Sequence, residues 1–315
     1  MSFNTWILCL LSITCVPSIL VAASQQPAQR LDWSADDGRR ISDLHEHGRR
    51  TEGKMAVLWS PAGVLDDGAS AQLIERLDKG IAALRQLIGT HAWQEVRDEK
   101  LRFYVSDDQF VSHATSGGVV LIQLPRLRDG RAPFLHEAAH ALLARPIARG
   151  GAPPLDSATQ DRLIATRPQW LVEGIADLLA QTAAQMAGVS EGDVFDIGGL
   201  GKVDHTCATR LATPTGKEIG RYIGVLGAPT ALFTTDRFEI APIFYACAFS
   251  YTKFLAAQIG LQELIALMAL QSRVNRATDP ISIGPDGVLP RVETLTGKPT
   301  EKLQAEWLKH VQSQR

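Results

Sequence analysis

The chain has 315 residues, 45% of them hydrophobic and 21% charged. That balance supports a large buried core and excludes wholesale disorder. A net charge of −2 supplies no basic field for nucleic acid or anionic lipid, and aromatics at 6% leave little for a base-stacking platform.

Residues 1–29 carry no charged side chain, and Trp6 to Ala23 is apolar apart from Ser12, Thr14 and Ser18, with Pro17 interrupting it. Val21-Ala22-Ala23 ahead of Ser24 places small or short residues at the −3 and −1 positions of a cleavage site. Residues 1–23 therefore have the pattern of a secretory signal peptide. The n-region has only the terminal amine as positive charge, which keeps an uncleaved anchor as the other reading. No later run of ~18 uninterrupted apolar residues follows, so an exported chain, periplasmic or secreted, without a stable span after cleavage is expected. Cys207 and Cys247 remain in the mature chain. Export is compatible both with a disulfide between them and with two buried free thiols.

Residues 24–52 are polar and charged, and a surface entry segment is expected there. From 53 onward one domain is expected, residues 53–145 forming an α/β part and residues 146–315 a helical part. Lys54–Trp59 reads as a strand. Leu73, Ile74, Leu77, Ile81, Leu84, Leu87 and Ile88 recur at helical period, and Gly89 supplies a stop. Leu101, Phe103 and Val105 alternate, and Val119 to Leu124 is a β-branched run before Pro125; both read as strands, the second as a sheet edge. Pro133 opens a helix that stops before Pro146. A loop over 146–166 precedes a second helix, from Pro168 to about Met186. Residues 188–240 give no periodic signal. Pro242 opens a helix to about Ile259, another runs from Gly260 to about Leu270, and a last one from Pro299 to about Gln312. The four prolines in 276–299 suggest a loop. Strands early and helices late predict an α+β fold.

The chemistry is concentrated in two of these helices. His136-Glu137-Ala138-Ala139-His140 is an H-E-x-x-H. Residues i and i+4 lie one turn apart on one face, so both imidazoles can reach one metal ion, with Glu137 beside them as a general base. The plain alternative is two half-buried histidines next to a solvated acid. Zinc also needs a third protein ligand. In Trp170-Leu171-Val172-Glu173-Gly174-Ile175-Ala176-Asp177, two carboxylates share one face of an apolar helix, where burial without partners is costly. A metal ion for Glu173 and a histidine ring N–H for Asp177 satisfy both. The other reading is an amphipathic helix with both acids in water. Gly174 costs about 1 kcal/mol in a helix interior; close packing against the His136 helix is the expected reason for it. His45 and His47 flank Glu46 in a polar stretch without other ligand signals. His113 and His205 stand isolated, although His205 and Asp204 lie in the unperiodic stretch and are candidates to reach a cleft.

H-E-x-x-H followed by W-L-x-E-G-x-A-D resembles the gluzincin zinc metallopeptidases, in particular their peptidase-MA-like domains. The resemblance extends over about 53–312 through the order of early strands and helix, Tyr245–Phe254, Gly260-Leu261-Gln262-Glu263-Leu264, and the closing Thr296-Gly297 and Glu306-Trp307. It implies a two-lobed, thermolysin-like fold, with a small mixed-sheet lobe, a mostly helical lobe and one zinc in the cleft between them. It further implies zinc ligands His136, His140 and Glu173, a general base/acid Glu137, and Asp177 orienting a liganding histidine. Tyr245 would donate to the oxyanion, in preference to Tyr251, and Val119, Val120 and Leu121 would be an edge strand for a peptide or protein substrate. No G-x-M-E-N precedes the motif helix, so the amine-anchoring carboxylate of the aminopeptidases is not implied. The other class of protein compatible with the pattern is a non-catalytic zinc-containing binding or envelope-assembly protein retaining the fold.

Overall fold

The computed structural model describes residues 33–143, 169–220, 240–271 and 288–314, apart from 93–95, 97, 109, 116–117 and 193–194. The expected signal peptide and the 146–166 loop lie outside the described residues.

The fold is mixed α+β, built on one five-stranded sheet. Its strands are β1 (Gly48–Glu52), β2 (Ala56–Pro61), β3 (Leu101–Ser106), β4 (His113–Thr115) and β5 (Val119–Gln123), in the order β1-β2-β3-β5-β4. The apolar runs form the parallel centre β2-β3-β5, and the polar segments β1 and β4 pair antiparallel at the two margins. Central parallel strands are covered on both faces, which is why they read as near-continuous hydrophobic runs. The expectation that Val119, Val120 and Leu121 form an edge is corrected here. Val119 pairs with Arg102 on one side and Thr115 on the other, and Leu121 with Tyr104 and His113. The free margin on that side is β4.

The entry segment is also corrected, because the sheet begins before residue 53. Helix α1 (Trp33–His47) lays Leu44 against Tyr104 and Leu121 on one face of the sheet, and β1 follows it directly. The other face is covered by α2 (Asp67–Ile88), whose Leu73, Leu77, Ile81, Leu84 and Ile88 are buried. Each such side chain contributes about 1.5–3 kcal/mol. Asp66 caps α2 by accepting from the Ala69 N–H at 2.7 Å, an interaction worth about 1 kcal/mol. Asp78 accepts from the N–H groups of Lys54, Met55 and Ala56 at 2.6, 2.7 and 3.1 Å, fixing the start of β2 against α2.

Beyond the sheet come α3 (Leu124–Arg128), α4 (Phe134–Leu143), α5 (Gln169–Ala187), α6 (Gly199–Leu211) and α7 (Pro214–Gly220). They are followed by α8 (Ile240–Ile259), α9 (Leu261–Gln271), α10 (Val288–Thr296) and α11 (Thr300–Gln312). Part of the unperiodic stretch and part of the expected 276–299 loop are thus helical. Pro290 falls in the first turn of α10, where a missing N–H costs nothing. By length and composition α8 is apolar enough to cross a membrane, but 72% of that stretch is buried inside the fold, as befits a core helix. Cys207 and Cys247 form a disulfide that ties α6 to α8 across a sequence separation of 40. In the chain-entropy account a loop of that length contributes about 4 kcal/mol.

Gly174 marks a close helix crossing. A Cβ there would lie 2.2 Å from Thr252 Oγ1 and 2.5 Å from the Ala248 carbonyl oxygen. The contact is with α8 and not, as expected from the sequence, with the His136 helix. The missing side chain brings the backbone of α5 against that of α8.

Candidate metal centre

Helix α4 carries His136 and His140 one turn apart, and α5 carries Glu173 and Asp177 with the same spacing. Both helices are apolar on nearly every other face, so packing them together forces the four polar side chains into one buried pocket. His136 Nε2 and His140 Nε2 stand 3.0 Å apart, and each is 3.3 Å from Glu173 Oε2. The three donor atoms are close enough to hold one metal ion, and they are the one such group among the described residues.

Around this group the orienting contacts are short. His136 Nδ1 donates to Asp177 Oδ1 at 2.7 Å, which fixes the ring and turns the Nε2 lone pair to the centre. Asp177 Oδ2 is buried with no hydrogen-bond partner among the described residues. Tyr245, on α8, reaches the same point: its ring lies 6.2 Å from that of His136 and its hydroxyl donates to Glu173. Tyr251 is instead in the core, edge-on to Trp170 at 4.8 Å and Trp307 at 5.3 Å. The structure therefore brings His136, Glu137, His140, Glu173, Asp177 and Tyr245 together, and Val119, Val120 and Leu121 are held inside the sheet.

The electrostatics reflect charge confined without water. Burial alone pushes His136 down, but the Asp177, Glu173 and Glu137 carboxylates outweigh it and hold the metal-free imidazolium well above the ordinary histidine range. Burial opposes ionisation of Glu173, and the two imidazoles beside it override that and hold it far below the carboxylate range. Burial pushes Glu137 up, with His136 and His140 pulling it back. Tyr245 is raised by burial and by the neighbouring Glu173 and Glu137.

Two residues of the site are not visible in the motif pattern. Glu191 Oε1 accepts from the N–H groups of Leu135 and His136 at 2.8 and 3.1 Å. Burial pushes its carboxyl up to about 8. The clue in the sequence is an absence: Ala132 and Pro133, just ahead of α4, have no side-chain oxygen to cap it. His113, on the strand β4 that packs beside α4, bonds Asp37 at 2.9 Å. His205 and Asp204 face away from the pocket. His205 bonds the Gln314 carbonyl, and Asp204 bonds Ser250 and Lys253. His45 shares a hydrogen bond with Tyr104 and lies tilted against the Trp59 ring.

No family model, no curated protein and no solved structure matches the chain.

Proposed function

We propose that this chain is an exported zinc metallopeptidase with the two-lobed gluzincin arrangement, acting on a peptide or protein substrate. The observation that carries the reading is the triangle of donor atoms. Ligands about 2.0–2.1 Å from a tetrahedral zinc lie about 3.3 Å from one another. The His136, His140 and Glu173 atoms, at 3.0, 3.3 and 3.3 Å, fit that edge length. Two imidazoles and one carboxylate also suit zinc chemically and leave a fourth position for water or substrate. A metal held only for structure has no use for Glu137, a fourth ionisable group buried beside the ligands.

Bound there, zinc supplies Lewis acidity, acidifying water and polarising a carbonyl. Glu137 takes the proton of the attacking water and passes it to the leaving amine. Burial pushes its carboxyl up, with His136 and His140 pulling it back. Asp177 keeps His136 in the liganding tautomer. Tyr245 turns its hydroxyl from Glu173 to the oxyanion that develops in the transition state. An extended substrate has the free margin of β4, not β5, to lie along.

The test is metal analysis with a peptide-library digest. Wild type should carry one zinc per chain, His140→Ala should lose it, and Glu137→Gln should keep it while losing at least ~100-fold in activity. Equal zinc in wild type and His140→Ala refutes the ligand set. A Glu137→Gln variant as active as wild type refutes the mechanism, and a zinc-loaded wild type that cleaves nothing favours the binding-protein class.

A further inference from the structure

Helix α4 lacks a cap of its own. Its first N–H groups follow Ala132 and Pro133, and the Glu137 N–H closes the first turn on the Pro133 carbonyl at 3.0 Å. The next orphan donors, on Leu135 and His136, sit where a capping side chain ordinarily accepts. Glu191 fills that place from 55 residues further along the chain. One of the two N–H groups belongs to His136, so the cap grips the backbone of a residue whose ring faces the metal pocket.

Gly192, Phe195 and Asp196 are held equally closely. Gly192 lies so near the start of α4 that a Cβ would come within 2.4 Å of the Ala132 carbonyl oxygen. Three residues further on, Phe195 stacks on Tyr245, with ring centroids 4.5 Å apart and planes 21° apart. Arg210 fastens the carbonyls of Phe195 and Asp196, at 2.6 and 3.0 Å, and also reaches that of Pro242, three residues before Tyr245. The chain leaving α5 therefore touches both other helices of the site, at the points where each presents its functional side chain.

We propose that Glu191 and Phe195 are positioning residues on one strap, Glu191 setting His136 for the metal and Phe195 setting Tyr245 for the reacting carbonyl. The inference rests on the metallopeptidase reading. Its two halves separate experimentally, because metal affinity reports His136 and turnover reports Tyr245.

The experiment strips the purified chain of metal and titrates zinc against a chromophoric chelator. It then measures kcat and KM on the peptide that wild type cleaves fastest. Glu191→Ala should bind zinc 10–100-fold more weakly, the usual effect of losing a group that orients a ligand. Glu191→Gln, which keeps the accepting oxygen, should restore the affinity to within about threefold. Should Glu191→Ala fail to fold, Glu191→Asp, one methylene too short to reach both N–H groups, takes its place beside Glu191→Gln. Phe195→Leu should leave zinc affinity and KM unchanged and lower kcat about tenfold, and Phe195→Tyr should restore it. Wild-type zinc affinity in Glu191→Ala or Glu191→Asp overturns the first half, as does a Gln variant as weak as the Ala one. Wild-type kcat in Phe195→Leu overturns the second. A wild type that takes up no zinc overturns the metallopeptidase reading and this inference with it; loss of the inference alone requires a wild type that binds zinc and hydrolyses peptide.

Discussion

Two clusters of buried charge lie close together in this molecule, and each contains a histidine bonded to an aspartate. In the first, on α1 and β4, Asp37 accepts from Arg40 at 3.1 Å and bonds His113 at 2.9 Å, while Arg40 also donates to Asp108 at 3.2 Å. The Arg40 guanidinium lies over Phe110, 4.6 Å from the ring centre. In the second, three carboxylates (Glu137, Glu173 and Asp177) surround two imidazoles whose nitrogens face one another at 3.0 Å, and Glu191 holds the backbone beneath one of them. The first cluster is closed by opposite charges drawn from the chain. The second has more carboxylates than cationic side chains, and three of its possible ligand atoms face one point. Buried charge is thus no functional signal in itself; what matters is whether the partners that neutralise it are side chains.

If that distinction is right, breaking the two clusters has different consequences. The largest effect is expected at Arg40. Arg40→Ala leaves Asp37 buried without its main partner and should cost about 3–5 kcal/mol of stability in denaturant unfolding, with zinc affinity unchanged. A parallel fall in zinc affinity would mean that the clusters act as one. Next comes Tyr245→Phe, which should lower kcat by about 10²–10³ with zinc retained, the size of one lost oxyanion donor. Tyr251→Phe, which keeps the ring contacts in the core, should spare both kcat and zinc affinity; the opposite pattern would exchange the roles of the two tyrosines. The smallest of the three is Asp177→Asn. It keeps the shape of the His136 contact but weakens the orientation of the ring, and should reduce zinc affinity 10–100-fold. An Asn variant that binds zinc like wild type would place Asp177 with the first, self-contained kind of cluster.

The contrast also explains what the sequence made legible. His136, His140, Glu173 and Asp177 were legible because an i, i+4 spacing on a helix puts two polar side chains on one face, with Glu137 beside the first, whereas Tyr245 rested on the family resemblance. The central strands were equally clear, because burial on both faces makes them continuous apolar runs. The margins were not. Gly48-Arg49-Arg50-Thr51-Glu52 has no apolar alternation at all, and it becomes a strand only because β2 offers its hydrogen-bonding edge. Misreading β4 in the same way made β5 look like the edge of the sheet. Glu191, Phe195 and His113 come from short or irregular segments, where spacing carries no information about which element the chain folds back upon. Gly174 was informative about closeness but not about the neighbour, since a missing Cβ has no direction in one dimension.

The polar margins of the sheet also govern how molecules of this protein meet in solution. An exposed strand edge is a template for joining another chain, and long, flat, apolar edges promote aggregation. Here one margin is β1, where Arg49 pairs with Asp67, Arg50 with Glu52 and Lys100 with Glu52. Charged side chains on an edge strand are one of the ways such an edge is blunted. The opposite margin, β4, is three residues long. A ladder that short offers too few backbone hydrogen bonds to hold a second sheet. The same features that hid both margins from a hydropathy reading therefore blunt both edges of the sheet against pairing with a second copy.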